Sequence, residues 1–475
     1  MLLSISLKNW KSFEEKTTFT MEASKEQRHR DTLADFKKFR LKLLPIAAIF
    51  GSNASGKSNF VKAFSFVQRL LLEPAKGLSS PEPFSFRLDE TLKSEPSEIE
   101  IQLMLGKYVY SYFLSFTNQK ICEESLYQLN TSSSNLLFRR TENRLEPGPS
   151  LSKEINKDSL KLVQPFFNKN HPALSILGNA ELPHVKEVFN WFKYSLRVIT
   201  PDTFSISESN GDDDSALDDF VNLDTGIKKI KYLDYNEDLP SSVKKLCDDL
   251  QEGDFLNYRD PKVGAFRIGK YADGLHIEKI LTVHVNKQGK EELFSFADES
   301  DGSVRLFDLL PAMDKLKNAD VPLTFVVDEF DRSLHTKLTA NLISRFLNTC
   351  TPDSKKQLIF TTHDALLINQ DLLRRDELWI ANREADGSSA LYPMVDFKEL
   401  RVDKDIRKSY LEGRMGGLPN LLATLNPKNV FEQEPVEVKT RERENFSISE
   451  ISRNQRIRCQ NNSETFVFTI SRGFE

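Results

Sequence analysis

Eight residues, Gly51-Ser-Asn-Ala-Ser-Gly-Lys-Ser58, satisfy the spacing G-x-x-x-x-G-K-[ST] at every specified position. Gly51 and Gly56 would let the backbone turn its N–H groups inward around phosphate oxygens, at the positive end of the following helix. Ser52, Asn53, Ala54 and Ser55 fill the loop between them, and Asn59 follows it into the helix. A loop of this chemistry holds a nucleoside triphosphate. Lys57 would reach the β- and γ-phosphates, and the Ser58 hydroxyl would sit on Mg²⁺.

A second group lies far downstream. Leu323-Thr-Phe-Val-Val-Asp-Glu329 is a continuous apolar run ending in two carboxylates, as a strand buried on both faces would read. Asp328 would hold Mg²⁺ through water, with Ser58 as its other protein contact, and Glu329 would polarise an attacking water as general base. His363 closes the apolar run Gln357-Leu-Ile-Phe-Thr-Thr-His. An imidazole there can donate to a γ-phosphate and register its loss. Ser300, Asp301, Gly302 and Ser303 open a segment whose Val304, Leu306, Leu309 and Leu310 have helical core spacing. Free N–H groups at that helix start could bind a second anion; an ordinary N-cap is the alternative.

The elements that must position these residues follow from periodicity. Leu43–Phe50 is an apolar run of strand length, and Asn59–Leu70 has helical spacing, so strand, loop and helix follow in the order a phosphate loop requires. Leu2–Leu7 alternates as an opening strand with Thr17–Met21 as its hairpin partner. Ser97–Met104, Lys107–Phe116 and Ile121–Leu129 read as an antiparallel meander. Lys25–Lys42, with Arg28, His29, Arg30, Lys37, Lys38, Arg40 and Lys42, reads as a charged helix with a solvated face, a phosphate-contacting patch being the alternative. From Asn130 to Leu275 the patterns weaken. Val185–Phe192 and Ser242–Gln251 read as helices, and the acidic run from Gly211 to Asp219 as a solvated loop, a metal-holding cluster being the alternative. Strand character resumes at Ile277–Val285, and Asn286-Lys-Gln-Gly-Lys290 has hairpin-turn composition.

The bulk properties narrow the class. A chain of 475 residues with 39% hydrophobic and 28% charged residues can bury more than one core. A net charge of -5 exerts no global pull on nucleic acid or anionic membrane, so such contacts would need a local patch. Cys122, Cys247, Cys350 and Cys459 are widely separated and form no C-x-x-C pair, which suits a reducing compartment. The N-terminus has no signal-peptide pattern, and no apolar run approaches the ~20 residues of a membrane helix. A cytoplasmic location without membrane association is expected.

These parts in this order resemble the ABC-type ATPase head of the SMC/RecF/OLD class. The resemblance rests on Ile5-Ser-Leu-Lys-Asn-Trp-Lys-Ser-Phe13 as first strand, on Asn53 and Ser55 in the loop, and on Glu299-Ser-Asp-Gly-Ser303 as a degenerate signature motif. Asp331-Arg-Ser-Leu-His335 is similar to the D-loop, with Asp331 and Ser333 as its contact residues, and His363 to the switch histidine. No glutamine after the loop helix matches the Q-loop. Asp403-Lys-Asp-Ile-Arg-Lys-Ser-Tyr-Leu-Glu-Gly-Arg-Met-Gly-Gly-Leu-Pro419 is similar to a C-terminal element of stand-alone bacterial anti-phage ATPases. Among these, size and content are most like the AriA type of PARIS systems, with the PtuA type of Septu systems and abortive-infection ATPases close to it.

The resemblance implies an α/β fold: a mixed β-sheet with a phosphate-loop core, an antiparallel β-subdomain, and an inserted helical subdomain. The corresponding segments would be 1–130 with the phosphate loop, 131–276 as the mostly helical insertion, 277–425 as the second half of the head, and a tail at 426–475. It also implies ATP and Mg²⁺ as ligands, and Ser300–Ser303 of one copy closing on the ATP of another in a dimer or larger homo-oligomer. A separate toxic effector, such as a nuclease, and a phage-derived trigger would be the partners, with nucleic acid a further candidate. A RecF-like DNA clamp and an OLD-like nuclease are the alternatives; Asp403 and Asp405 form the dyad suggestive of the latter.

Overall fold

The structure, a computed structural model, describes residues 1–418 apart from 74–76, 79–82, 143, 155–169, 202–207, 211–222, 224, 236–246, 248–249, 251, 253, 261–263, 320 and 398–405. The acidic run, nearly all of Ser242–Gln251, the Asp403/Asp405 dyad and the tail at 426–475 lie outside the described residues. The chain divides into two compact units: Met1–Val198 with Val321–Val326 and Cys350–Glu475, and Ile199–Asp320 with Val327–Thr349.

The first unit holds a seven-stranded sheet. Strands β1 (Leu2–Lys8) and β2 (Thr17–Thr20) pair antiparallel, Ile5 opposite Phe19. The predicted meander is present as β6 (Ser97–Leu105), β7 (Tyr108–Phe116) and β8 (Ile121–Leu129), extended by β9 (Ser134–Thr141) and β10 (Arg144–Pro147). The β1 strand joins this sheet through β6, Ile5 opposite Ile101.

The second sheet of this unit carries the phosphate loop. Its order is β11 (Leu196–Ile199), β18 (Leu323–Val327), β19 (Lys356–Thr362), β5 (Ile46–Phe50), β20 (Leu378–Arg383), β21 (Ser389–Pro393). Both β19 and β20 run parallel to β5. Strands β5, β18 and β19 are buried at every residue, which accounts for the apolar stretches Ile46–Phe50, Phe325–Val327 and Leu358–Phe360. The strand expected over Leu43–Phe50 begins at Ile46, after Pro45. Helix α1 (Lys57–Leu72) covers the sheet with Phe60, Val61, Phe64, Val67, Leu70 and Leu71, the spacing of one helix face. Phe66 of α1 joins Trp10, Phe84 and Phe116 in an aromatic cluster, with ring centres 4.7 to 5.1 Å from Phe66.

Lys25–Lys42 is not a helix. It forms two 3₁₀ turns and the short hairpin of β3 (Ala34–Phe36) and β4 (Leu41–Leu43). His29 (φ 47°) and Arg40 (φ 52°) adopt left-handed backbone, which breaks any helical path. The cause is long-range. Buried Arg374 donates to the carbonyls of Glu26, at 3.2 Å, and Arg28. Asp376 accepts from Ser24 N and Oγ, each at 2.7 Å, and Asp35 N donates to Pro352 O at 2.9 Å.

The inserted region is also corrected. Among its described residues, 131–276 is mixed rather than mostly helical, and 131–198 belongs to the first unit. It contributes helices α2 (Ala173–Leu177) and α3 (Pro183–Asn190), the latter agreeing with the predicted Val185–Phe192 helix. The second unit carries an antiparallel sheet of β12 (Glu208–Asn210), β13 (Lys229–Asp234), β14 (Asp254–Asp260), β15 (Gly264–Tyr271), β16 (Gly274–Val285) and β17 (Glu291–Ser295). Alternating strands separated by charged residues carry weak periodicity one at a time, and their pairing supplies what the local pattern lacks. The hairpin at Asn286 forms as expected, with Gly289 left-handed (φ 78°). Helices α4 (Asp301–Lys317) and α5 (Thr336–Leu347) complete this unit.

One ion pair of the first unit is fully buried. The Glu124 and Arg140 side chains are 0% exposed and lie 3.6 Å apart. Burial pushes the Glu124 carboxyl above its ordinary range; Arg140 and the N–H groups of Leu174 and Ala173 at the start of α2 pull the other way. Glu124 also accepts from Tyr112 Oη at 3.0 Å. Losing either partner strands a buried charge, so Arg140→Ala is expected to cost about 3–5 kcal/mol. A urea-midpoint shift below about 1 kcal/mol would show that the pair carries no such weight.

Candidate nucleotide site

The phosphate loop is built where β5 ends. Thr362 of β19 is in register with Phe50 of β5, so His363 and Gly51 leave two neighbouring parallel strands side by side. A Cβ at Gly51 would come within 2.5 Å of Ala381 O on β20, so only glycine lets the chain turn here. Gly56 is left-handed (φ 101°), and a Cβ on it would meet Ser389 Oγ at 2.4 Å and Ser12 Oγ at 2.9 Å. Ala54 (φ 63°) is also left-handed, at an exposed position beside exposed Asn53. Strain at a non-glycine residue in a loop of this shape is the kind found at ligand clamps.

Lys57 is 5% exposed, and its Nζ donates to Gly51 O and Ser52 O, each at 2.8 Å. The ammonium therefore lies inside the loop. Ser55 Oγ is buried and has no hydrogen-bond partner among the described residues. A turned backbone, an enclosed ammonium and an orphan hydroxyl fit a phosphate group. Ser58 and Asn59 follow in the first turn of α1, both half-buried.

Trp10, Ser12 and Ser389, to which the sequence alone assigns no site role, brace the loop. Asn59 Nδ2 donates to Ser12 Oγ at 2.9 Å, Trp10 Nε1 to Asn59 O at 2.8 Å, and Ser389 N to Ser12 O at 2.7 Å. Trp10 and Ser12 lie in the opening segment Ile5–Phe13 that the first-strand resemblance singled out. The C-terminal element packs nearby. Gly417 N donates to Asn382 Oδ1 at 3.0 Å on β20, and the Tyr410 ring of α6 (Ile406–Leu411) lies 6.3 Å from the Phe50 ring. His363 is exposed at its strand end.

The remaining predicted residues form a second group, in the second unit. Asp328, at the end of β18, is buried, and its N–H donates to Ile199 O at 2.8 Å. Glu329 follows in left-handed backbone (φ 49°), as does Ser333 (φ 59°). Ser300 caps α4, its Oγ accepting from Ser303 N at 3.2 Å; Ser300 and Asp301 are exposed. Gly302 lies against the turn at Ser333, where a Cβ would come within 2.8 Å of Ser333 O. The N-cap and the exposed helix start are thus one structure rather than competing readings. Asp331 is half-buried in the same turn.

Arg305 escaped the sequence reading. From α4 its Nη2 donates to Glu329 O at 2.9 Å and to Asp328 O at 3.2 Å. Burial draws its guanidinium below the ordinary value, with Asp308 opposing that most strongly. An arginine amid core-spaced residues of an amphipathic helix was the available signal: a buried cation needs acceptors.

Comparison with protein families matches residues 46–369 to the family described as "AAA domain, putative AbiEii toxin, Type IV TA system". The chain belongs to this AAA domain family. The matched AAA segment begins at Ile46, the first residue of β5, and takes in Gly51–Asn59, Ser300–Ser303, Asp328, Glu329, Asp331, Ser333 and His363. It is thus a member of a nucleotide-binding ATPase family. Among solved structures, it is similar to the SMC head domain from Thermotoga maritima, with 15% identity and TM-score 0.33, covering 82% of this chain and 98% of that one. It is also similar to an SMC head bound to the C-terminal winged-helix domain of ScpA, with 14% identity and TM-score 0.35, covering 82% and 97%. No curated protein matches the chain. None of the described helices is long and apolar enough to cross a membrane.

Proposed function

We propose that this AAA-domain protein binds ATP with Mg²⁺, hydrolyses it, and uses the cycle to assemble and release a homo-oligomer that controls a separate toxic effector in anti-phage defence. The observation that carries the ATP reading is the ammonium of Lys57 enclosed by the carbonyls of its own loop. Gly51–Asn59 hold the phosphates. Ser58 and, through water, Asp328 hold Mg²⁺, which neutralises charge on the β- and γ-phosphates. Glu329 orients the attacking water, and His363 contacts the γ-phosphate. Ser300–Ser303 of one copy face the nucleotide of another, with Asp331 and Ser333 beside them. The exposed start of α4 supports that role, because Ser300 and Asp301 are open there to a group supplied from outside.

The defence reading draws on the family's description, which names a toxin of a toxin–antitoxin system, and on the C-terminal element read from the sequence. The test is mass photometry with and without Mg-ATP, joined to phage challenge of cells carrying the protein with and without its neighbouring gene. ATP is expected to raise the oligomer size, and protection is expected to require the neighbour. Unchanged size in ATP overturns the switch. Protection by this chain alone overturns the separate effector.

A further inference from the structure

The phosphate loop lies where β5 and β19 end. The other end of the same sheet, where β18 and β19 begin, carries a cavity of about 220 Å³ in the first unit. Leu323 N of β18 donates to Lys355 O just before β19, at 3.2 Å, and Pro322 and Lys355 line the cavity. Three aromatic side chains also line it: Phe36 from the β3–β4 hairpin, and Trp191 and Tyr194 from the π-helical turn after α3. Trp191 is 1% exposed, but Tyr194 is 56% exposed, a large ring at the mouth with Lys193 Nζ 5.0 Å from its centre. Between them stand Asn190, whose amide can donate and accept, and Glu187, which accepts from Tyr110 Oη at 2.9 Å.

Cations neighbour the lining segments in sequence, and Lys355 itself lines the cavity. The hairpin turn beside Phe36 carries Lys37, Lys38 and Arg40. Lys38 Nζ donates to Lys107 O at 3.0 Å and lies 4.9 Å from the Tyr108 ring centre. Those contacts hold the turn against the β6–β7 connection, where Gly106 lines the cavity. Lys37, Lys38, Arg40, Lys107 and Lys355 are all exposed, and none forms an ion pair among the described residues. In a chain of net charge -5 this is a local concentration of positive charge. The hairpin is also held by Asp35 N, which donates to Pro352 O at 2.9 Å.

We infer that this cavity binds a single-stranded nucleic acid, taking one unstacked base against Tyr194 and Phe36 while the surrounding lysines hold the flanking phosphates. The volume is below the ~300–1,000 Å³ of pockets for drug-sized ligands and suits a single heterocycle. Aromatic faces with a cationic rim are the chemistry of strand binding: stacking tolerates any base, and the cations track the backbone. A paired base cannot enter such a cavity without leaving its stack, so a strand is favoured over a duplex.

The test uses the full chain and a fluorescein-labelled strand of about 12 nucleotides, a length within the range of known strand sites. Its duplex and phosphatidylserine vesicles serve as competitors. Three to four held phosphates would make strand affinity fall about 30-fold between ~50 and ~200 mM salt. The double variant Lys38→Glu/Lys107→Glu is expected to weaken binding at least ~10-fold and flatten that salt dependence. Tyr194→Ala is expected to weaken it about 10-fold and leave the salt dependence unchanged. Both variants should bind ATP as wild type does, which shows that they are folded. The inference is overturned if wild type fails to bind the strand at low salt, if either variant binds it equally well, or if duplex or vesicles displace it more effectively than unlabelled strand.

Discussion

Lys57→Ala protein is expected to lose detectable ATP binding, by a factor of about 100 or more. Two charge-assisted hydrogen bonds to phosphate, at roughly 1.5–3 kcal/mol each, account for that size. The structure adds a second reason. Lys57 Nζ joins the carbonyls of Gly51 and Ser52 at 2.8 Å, so its removal also leaves two acceptors of the loop without this donor. Isothermal titration with Mg-ATP checks the first effect, and hydrogen exchange of residues 51–58 the second. ATP affinity within threefold of wild type would remove the loop from the proposed site. Lys57→Arg separates charge from shape: it keeps the cation, but its planar fork cannot be enclosed as an ammonium is. It should therefore recover little binding.

Glu329→Gln is expected to bind ATP normally, to hydrolyse it about 10²–10⁴-fold more slowly, and to accumulate as the larger oligomer. The substitution is nearly isosteric, and Arg305 holds the Glu329 carbonyl at 2.9 Å whichever side chain stands there. The left-handed turn (φ 49°) should thus survive in the variant. Light scattering in excess Mg-ATP, read against phosphate release, measures both effects. Equal oligomer sizes for wild type and variant would falsify the trapping. Arg305→Met gives a contrasting expectation, since it leaves the carboxylate and removes its support. It should slow hydrolysis without stabilising the larger oligomer.

Much of this arrangement is legible in the sequence. The spacing of Gly51, Gly56, Lys57 and Ser58 is a local chemical pattern, and the strand before it and helix after it were read from their apolar periods. The same holds for β1 with β2, for β6–β8, for the β16–β17 hairpin, and for β18 ending in Asp328 and Glu329. In each, the residues that decide the conformation lie within a few positions of one another.

Where distant residues decide, the sequence alone was silent or misleading. Lys25–Lys42 has the composition of a solvated helix but is held as turns and a hairpin by Arg374, Asp376 and Pro352 O, more than 300 positions away. Ser12 and Ser389 brace Gly56 from opposite ends of the chain, and no local pattern marks either. Arg305 became meaningful once α4 placed its guanidinium on the carbonyls of Asp328 and Glu329. By itself the sequence determined the chemistry of the phosphate loop and carboxylate pair, because that chemistry depends on residue type at fixed short spacing. Tertiary structure alone decided how each is held, and brought Phe36, Gly106, Tyr194 and Lys355 around one cavity. Burial and hydrogen-bond partners are properties of packing between segments that spacing along the chain does not encode.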